Sequence, residues 1–220
     1  MSDSTVPDIL ALLRTQACPA NVEGQRRFGI TPTTEQLGIN MAFLRSLAKG
    51  YRHHHALALQ LWKQPVYEAR LLAALIDDPS QVTRDQMNAW AADFDAWTTC
   101  DNACMHLFRK TAFAYDCAHA WVRRDETFVK RAGFVLVATL AVHAKKDPDS
   151  QLLAFIPELE RAATDARNFV KKAVNWTLRQ LGKRNGACKL EAIACAQRIL
   201  KLNTPSARWI ARDALRELED

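Results

Sequence analysis

The sequence is poor in the residues that interrupt regular secondary structure. Its 220 residues include only 7 glycines and 8 prolines, a composition that excludes a collagen-like chain and disfavours a disordered one. No apolar run approaches the roughly 18 residues that a membrane span requires. The first residues also lack the basic and apolar regions of a secretory signal. We therefore expect a folded cytoplasmic protein that does not contact a membrane.

The cysteines and histidines do not form a recognisable metal-binding motif. The sequence has no Cys-x-x-Cys pair, and Cys104 and His106 would point to opposite sides of a helix. Without a secretory signal, the six cysteines are expected to be reduced thiols. A Gly-rich phosphate-binding loop is also absent. We expect neither a metal nor a cofactor, with a zinc site around Cys100–His119 as the less favoured alternative.

Apolar residues recur at three- and four-residue steps along most of the chain, which is typical of amphipathic helices. Leu71, Leu72 and Leu75 belong to one such stripe. There is no sustained alternation of apolar and polar residues and no hairpin signal. Thr83, followed three residues later by a glutamine, predicts one helix start, and Ser206 is predicted to cap the last helix. The protein is predicted to be all-α.

One segment recurs along the C-terminal half. The sequence FVKRAGF at 128–134 is echoed 41 residues later by FVKKAVNW at 169–176, and SARWIA at 206–211 is a looser copy. Steps of this size are typical of HEAT or armadillo helix pairs. We predict a single domain over residues 1–220, a superhelical solenoid of antiparallel helix pairs with a basic concave face. Residues 1–27 form an N-terminal segment to which the sequence assigns no role.

The positive charge is concentrated in the second half of the chain. Residues 1–120 carry 11 Lys/Arg and 12 Asp/Glu, a net charge of −1, whereas residues 121–220 carry 19 and 12, a net charge of +7. A basic surface gains affinity for a polyanion by releasing counterions from its phosphates. The asymmetry therefore favours a nucleic-acid partner, and a solvated basic face without a partner is the alternative.

Two tryptophans have charged residues at helical spacing. The poor helix formers before Cys100 predict that a helix begins near that residue; if the helix extends further back, Trp97 and Asp101 share one face. An indole beside a carboxylate can receive a cation, and the ring contributes on the order of 2 kcal/mol. Trp176 and Arg179 could likewise face one groove. The structural alternatives are a core tryptophan with a helix-terminal aspartate, and a packed tryptophan with a surface arginine.

Several co-linear segments together resemble the AlkD-like DNA alkylation repair glycosylases, which are built from HEAT-like repeats. The resemblance extends from about Phe28 to Leu218. The segments that carry it are Leu59–Trp62, Glu68–Pro79, Asp95–Asp101, Phe128–Phe134, Asn168–Arg179 and Ala207–Trp209.

This resemblance implies a monofunctional glycosylase that hydrolyses the N-glycosidic bond of cationic alkylpurines such as 3-methyladenine and 7-methylguanine. It implies that Asp101 stabilises an oxocarbenium-like sugar without a general acid. It also implies that Trp97 and Trp176 hold the deoxyribose of the lesion and that Arg131 binds a phosphate. Further contacts to the DNA backbone are expected from Lys130, Lys171, Lys172, Arg179 and Arg208.

The expected partner is double-stranded DNA containing alkylated bases. The protein is expected to act as a monomer without an obligate protein partner, in the cytoplasm and on the nucleoid when it is bound to DNA. One alternative is a non-catalytic HEAT-repeat module that binds DNA or RNA by shape. Another is a protein–protein scaffold, which would need an apolar concave surface. The pairing of Trp97 with Asp101 favours the enzyme.

Overall fold

The computed structural model describes residues 5–219, and their regular elements are helices. Pairing of extended backbone within that range is limited to one isolated bridge between Glu35 and Val66. Within these residues, no helix meets the length and hydropathy that a membrane-spanning segment requires. The all-α prediction is confirmed. The first four residues of the segment 1–27 lie outside the described part of the chain.

The helices group into two compact units that divide between Ala112 and Phe113. The predicted organisation as one repeat domain stays a prediction. The N-terminal unit contains α1 (Val6–Thr15), α2 (Pro19–Arg27), α3 (Met41–Ala48), α4 (His55–Trp62), α5 (Tyr67–Ile76), α6 (Arg84–Ala92) and α7 (Trp97–His106), with short 3-10 helices at Lys49–Tyr51 and Phe108–Lys110. In this unit α5 packs against α3, α4 and α7.

The C-terminal unit contains the recurring segments on neighbouring helices. Its elements are α8 (Ala114–Trp121), α9 (Thr127–His143), α10 (Asp149–Leu153), α11 (Ile156–Ala162), α12 (Asn168–Gly182), α13 (Gly186–Lys201) and α14 (Pro205–Glu219). The three helices that carry the repeated sequence lie in the order α9, α12, α14. Helix α8 packs against α9, α11 packs against α12, and α13 packs against both α12 and α14. The repeat in the sequence is therefore a repeat of helix pairs.

The helix starts agree only partly with the sequence prediction. Thr83 caps α6, since its hydroxyl accepts a hydrogen bond from the backbone N–H of Gln86 at 3.1 Å. Ser206 does not cap α14. Thr204 does so, accepting from the N–H of Ala207 at 3.2 Å. The prediction for Ser206 was wrong because α14 begins at Pro205, which places that serine inside the first turn.

Polar side chains link neighbouring helices within each unit through backbone carbonyls. We call these contacts the interhelix carbonyl bonds. They run from Asn102 to the carbonyl of Leu71 (3.0 Å), from Thr177 to that of Phe134 (2.7 Å) and from Asn175 to that of Ile210 (3.2 Å). The donors are buried, and a buried polar group without a partner is costly. These bonds fix the register between α5 and α7, and among α9, α12 and α14.

A buried carboxylate organises the segment that joins α2 to α3. Glu68, on α5, is fully buried and accepts hydrogen bonds from the backbone N–H groups of Leu37, Gly38 and Ile39, the shortest at 2.7 Å. Gly38 has a φ of +76°, and a Cβ atom there would lie 2.3 Å from the carbonyl oxygen of Cys18. Burial raises the pKa of Glu68, although the three amides oppose the shift. The carboxylate thus holds this segment against α5.

Candidate functional site

The first two candidate residues lie at the beginning of α7. This helix starts at Trp97, three residues before the start that the sequence predicted near Cys100. The early start is compatible with two threonines because both have tertiary roles: Thr98 accepts a hydrogen bond from the hydroxyl of Tyr67 at 2.6 Å, and Thr99 is buried. Trp97 and Asp101 consequently lie one turn apart on the same face of the helix.

Trp97 is anchored by the end of α2. The indole N–H donates to the backbone carbonyl of Phe28 at 3.1 Å, and Trp97 remains partly exposed. A second contact joins the segment after α2 to the segment before α7. The backbone N–H and the hydroxyl of Thr33 both donate to Asp95 Oδ2, at 2.8 and 2.6 Å. These anchors join residues more than 60 positions apart, and no local sequence pattern indicates them.

Asp101 lies where a carboxylate is only slightly accessible. It is 9% exposed, and the next residue, Asn102, fixes α7 against α5 through its interhelix carbonyl bond. Partial burial lowers the effective dielectric constant around the carboxylate and strengthens its attraction for a nearby cation. Together with the partly exposed indole of Trp97, this arrangement can receive a positively charged group at the start of α7.

Arg131 and Trp176 lie in the C-terminal unit, on α9 and α12. Arg131 is 6% exposed, and its NH1 group donates to the backbone carbonyl of Phe169 at 2.7 Å. Part of its hydrogen-bonding capacity is therefore used inside the protein, and its predicted contact with a phosphate stays a prediction. Trp176 is partly exposed, whereas its neighbours Asn175 and Thr177 are buried. The indole of Trp176 thus has access to solvent from a helix that is otherwise firmly held.

Two of the predicted DNA-binding cations have carboxylate partners. Lys130 lies 3.5 Å from Asp165. Arg179 lies 3.5 Å from Asp213 and also pairs with Glu217. These contacts reduce the positive charge that each residue offers to a phosphate. The sequence spacing could not show this, because each partner is more than 30 positions away.

The remaining predicted cations lie on α12 and α14. Lys172 is exposed, and Lys171 has its ammonium group 4.8 Å from the ring centroid of Trp209. Arg208 donates to the side-chain oxygen of Asn203 at 2.8 Å. Sequence reasoning missed Arg212, which is exposed one turn after Arg208. The regular four-residue spacing of arginines along α14 was the signal that could have identified it.

The described residues give no support for a metal site. Among residues 5–219, no group of three His, Cys, Asp or Glu side chains is placed to hold a metal ion. Five of the six cysteines are buried, and their predicted state as reduced thiols stays a prediction. Within this cluster Cys100, Cys104 and Cys117 are buried in α7 and α8, whereas His106 is partly exposed and His119 is exposed.

Comparisons with known proteins give a family and a fold. A family model described as "DNA alkylation repair enzyme" matches residues 9–218. One solved structure that the chain resembles is described as "a new family of proteins related to the HEAT-like repeat DNA glycosylases with affinity for branched DNA structures". The TM-score is 0.80 at 15% identity, covering 97% of this chain and 95% of that one. A comparison with curated proteins gives no match. The structural similarity confirms the predicted HEAT-like repeat fold.

Proposed function

Because the chain belongs to the family of DNA alkylation repair enzymes, we propose that it is a monofunctional DNA glycosylase that removes positively charged N-alkylated purines. Its substrates are duplex DNA with lesions such as 3-methyladenine and 7-methylguanine. The observation that carries this proposal is the arrangement on α7, where a slightly exposed carboxylate, Asp101, follows a partly exposed indole, Trp97, by one turn.

The chemistry of a cationic lesion requires few catalytic groups. Ordinary glycoside hydrolysis uses two carboxyl groups because one of them must protonate the leaving group. A cationic alkylpurine leaves as a neutral base, so that no general acid is needed. In the proposed reaction the C1′–N bond breaks, its electron pair leaves with the base, and water adds to C1′ and loses a proton.

Asp101 is assigned the stabilisation of the positive charge that develops on the sugar. A carboxylate fixed before the reaction interacts more strongly with the transition state than with the ground state, because the sugar becomes cationic only as the bond breaks. Asp101 is also assigned the orientation of the attacking water. Trp97 is assigned a ring-face contact with the deoxyribose of the lesion, where an indole favours a cationic sugar over a neutral one. The same role for Trp176 stays a sequence-based prediction.

The C-terminal unit is assigned the contacts to the DNA backbone. Lys171, Lys172 and Arg208 are the better candidates, since Lys130 and Arg179 are paired with carboxylates. For Arg131, two roles predict different salt dependences. If Arg131 binds a phosphate, replacing it with alanine lowers the affinity for DNA. It also makes the slope of log K against log [salt] shallower by about 0.9. If it only holds α9 against α12, stability falls and the slope does not change.

A base-release assay tests the proposed chemistry. Purified protein is incubated with duplex DNA containing 7-methylguanine, and the released free base is measured. We expect Asp101→Asn to reduce the rate of release by at least about 100-fold and to change duplex affinity by less than about threefold. Asp116→Asn is the matched control, because it removes the same charge from an exposed position on α8. Equal release by the parent and Asp101→Asn would refute the mechanism.

A non-catalytic DNA-binding protein is the second candidate. It is favoured by one observation, the described affinity for branched DNA of a structurally similar family. Both candidates use the cations of the C-terminal unit, and they differ in whether Asp101 takes part in a reaction. Binding of methylated duplex by the parent protein, without release of base above the level of an uncatalysed control, would select this candidate.

A further inference from the structure

The exposed face of α14 combines arginines with an aromatic ring. Arg208, Arg212 and Arg216 follow each other at four-residue intervals, which places them on one face of the helix. These residues line a shallow surface groove together with Trp209, Pro205 and Asp213. We call this the α14 groove. It lies entirely within the C-terminal unit.

Trp209 differs from the core tryptophans in its access to solvent. It is 40% exposed, whereas Trp62, Trp90 and Trp121 are each less than 5% exposed. The ammonium group of Lys171 lies 4.8 Å from the centroid of its ring, and the ring also lines the α14 groove. A large aromatic ring that remains in water is able to gain free energy by stacking with a planar ligand.

The charge of the α14 groove selects a negatively charged ligand. Its one lining carboxylate, Asp213, already pairs with Arg216 and Arg179. Arg212 is exposed and forms no ion pair with a carboxylate among residues 5–219, and the contact of Arg208 is with the uncharged Asn203. Lys171 adds a further positive charge over one face of the ring, which leaves the opposite face for a ligand. The groove therefore offers more cations than its own carboxylate balances.

An aromatic ring among cations suits an unpaired nucleotide better than a duplex. The bases of a duplex already stack on one another, so a protein ring reaches only their edges or the phosphates. An unpaired base exposes its π-face, and proteins that bind single strands combine aromatic rings with cations that follow the backbone. Arginine in particular binds phosphate oxygens through a planar pair of donors.

We propose that the α14 groove binds an unpaired nucleotide of DNA, with its base stacked on Trp209 and its flanking phosphates held by Arg208 and Arg212. This site is separate from the proposed chemistry at Asp101 and does not depend on it. The α14 groove would direct the protein to DNA in which a base has left the duplex, as at a single-stranded end or a junction.

Binding to matched DNA molecules tests this proposal. Fluorescence anisotropy is used to compare a blunt duplex, the same duplex with a short single-stranded tail, and the same tail built from abasic nucleotides. We expect the parent protein to bind the tailed duplex about five- to tenfold more tightly than either of the others, which corresponds to the stacking of about one base. The abasic tail keeps the phosphates, so it separates stacking from charge.

Variants then assign the preference to the α14 groove. Trp209→Ala is expected to abolish the preference for the tail, and Trp209→Phe to retain most of it. Leu190→Ala is the control, because it removes a side chain that is 71% exposed on another helix. Arg212→Ala is expected to weaken binding of the tail and to make its logarithmic salt slope shallower by about 0.7.

Three outcomes would overturn the proposal: equal affinity of the parent for blunt and tailed DNA, equal affinity for normal and abasic tails, or a preference that survives in Trp209→Ala. Displacement of tailed DNA by polyglutamate at equal charge concentration would show an acidic peptide site instead. Thermal unfolding followed by circular dichroism verifies that each variant is folded. The preference is also measured in Asp101→Asn, where loss of base release together with an intact preference separates the two proposals.

Discussion

Replacing Glu68 with alanine removes the acceptor that three buried backbone amides share. The Oε1 atom accepts from the N–H groups of Leu37, Gly38 and Ile39 at 3.1, 2.7 and 3.2 Å. Each buried donor left without a partner costs about 1–3 kcal/mol, and some of that cost is recovered if water enters. The expected loss is therefore about 3–6 kcal/mol, a large part of the 5–15 kcal/mol by which a typical domain is stable.

Glutamine at the same position provides an internal comparison. Its side-chain oxygen is able to keep the three contacts of Oε1, but its NH₂ group would face the N–H of Leu37, from which Oε2 now accepts at 3.0 Å. We expect Glu68→Gln to cost about 1–2 kcal/mol, less than alanine. Both are measured by urea unfolding followed by tryptophan fluorescence. Glu191→Ala, at an exposed position on α13, should change the free energy of unfolding by less than about 0.5 kcal/mol.

The pH dependence of stability follows from the same residue. Burial raises the pKa of Glu68 above its ordinary value, so the folded protein binds the proton more tightly than the unfolded chain does. The contribution of Glu68 to the free energy of unfolding is present below the ordinary pKa of a glutamate. It is lost as the pH rises through the raised pKa of Glu68 in the folded protein. The variant Glu68→Gln should lack this decline. In the urea experiment, two results would refute the proposed role of Glu68 as a shared acceptor. One is a loss of unfolding free energy below about 1 kcal/mol for Glu68→Ala, and the other is an equal loss for Glu68→Ala and Glu68→Gln.

Three further substitutions test the packing of the C-terminal unit by the same urea assay. Gly133→Ala should lower the free energy of unfolding by about 1–3 kcal/mol, because the new Cβ would lie 2.6 Å from the backbone nitrogen of Val122. An unchanged free energy of unfolding would show that the end of α8 moves away without a loss of stability. Gly182→Ala should cost less, since its Cβ meets the flexible side chain of Leu218, and a larger loss than at Gly133 would contradict this. Thr177→Val should cost about 1 kcal/mol through the lost bond to α9, and no change would mean that this hydroxyl contributes nothing.

The sequence predicted those features that depend on neighbouring residues. The helical periodicity and the segment that recurs after 41 residues predicted the HEAT-like fold. The four-residue spacing of Trp97 and Asp101 predicted that they share one face if the segment is helical, and α7 does include both residues. The start of α7 was misplaced because intrinsic propensity disfavours threonine in helices. Tertiary contacts of Thr98 and Thr99 outweigh that preference in the folded protein.

Contacts between distant segments could not be predicted in this way. Nothing in the sequence pairs Trp97 with the carbonyl of Phe28, since a backbone acceptor is available at every residue. The same holds for Lys130, whose charge is partly neutralised by Asp165. The burial of Arg131 had a local signal, because apolar residues surround it throughout α9. A helix that is apolar on all sides leaves little surface for a cation.

The interhelix carbonyl bonds affect how the array of helices can deform. If α12 slid along α9 or α14, Thr177 and Asn175 would lose their acceptors while still buried. A slide by one helical turn would offer new carbonyls, but the intermediate positions would leave both donors unpaired. Resistance to sliding is therefore stepwise rather than gradual. Under a pulling force each pair of helices should stay in register until its whole interface opens. The end-to-end length of the unit should therefore increase in discrete steps and not by gradual sliding.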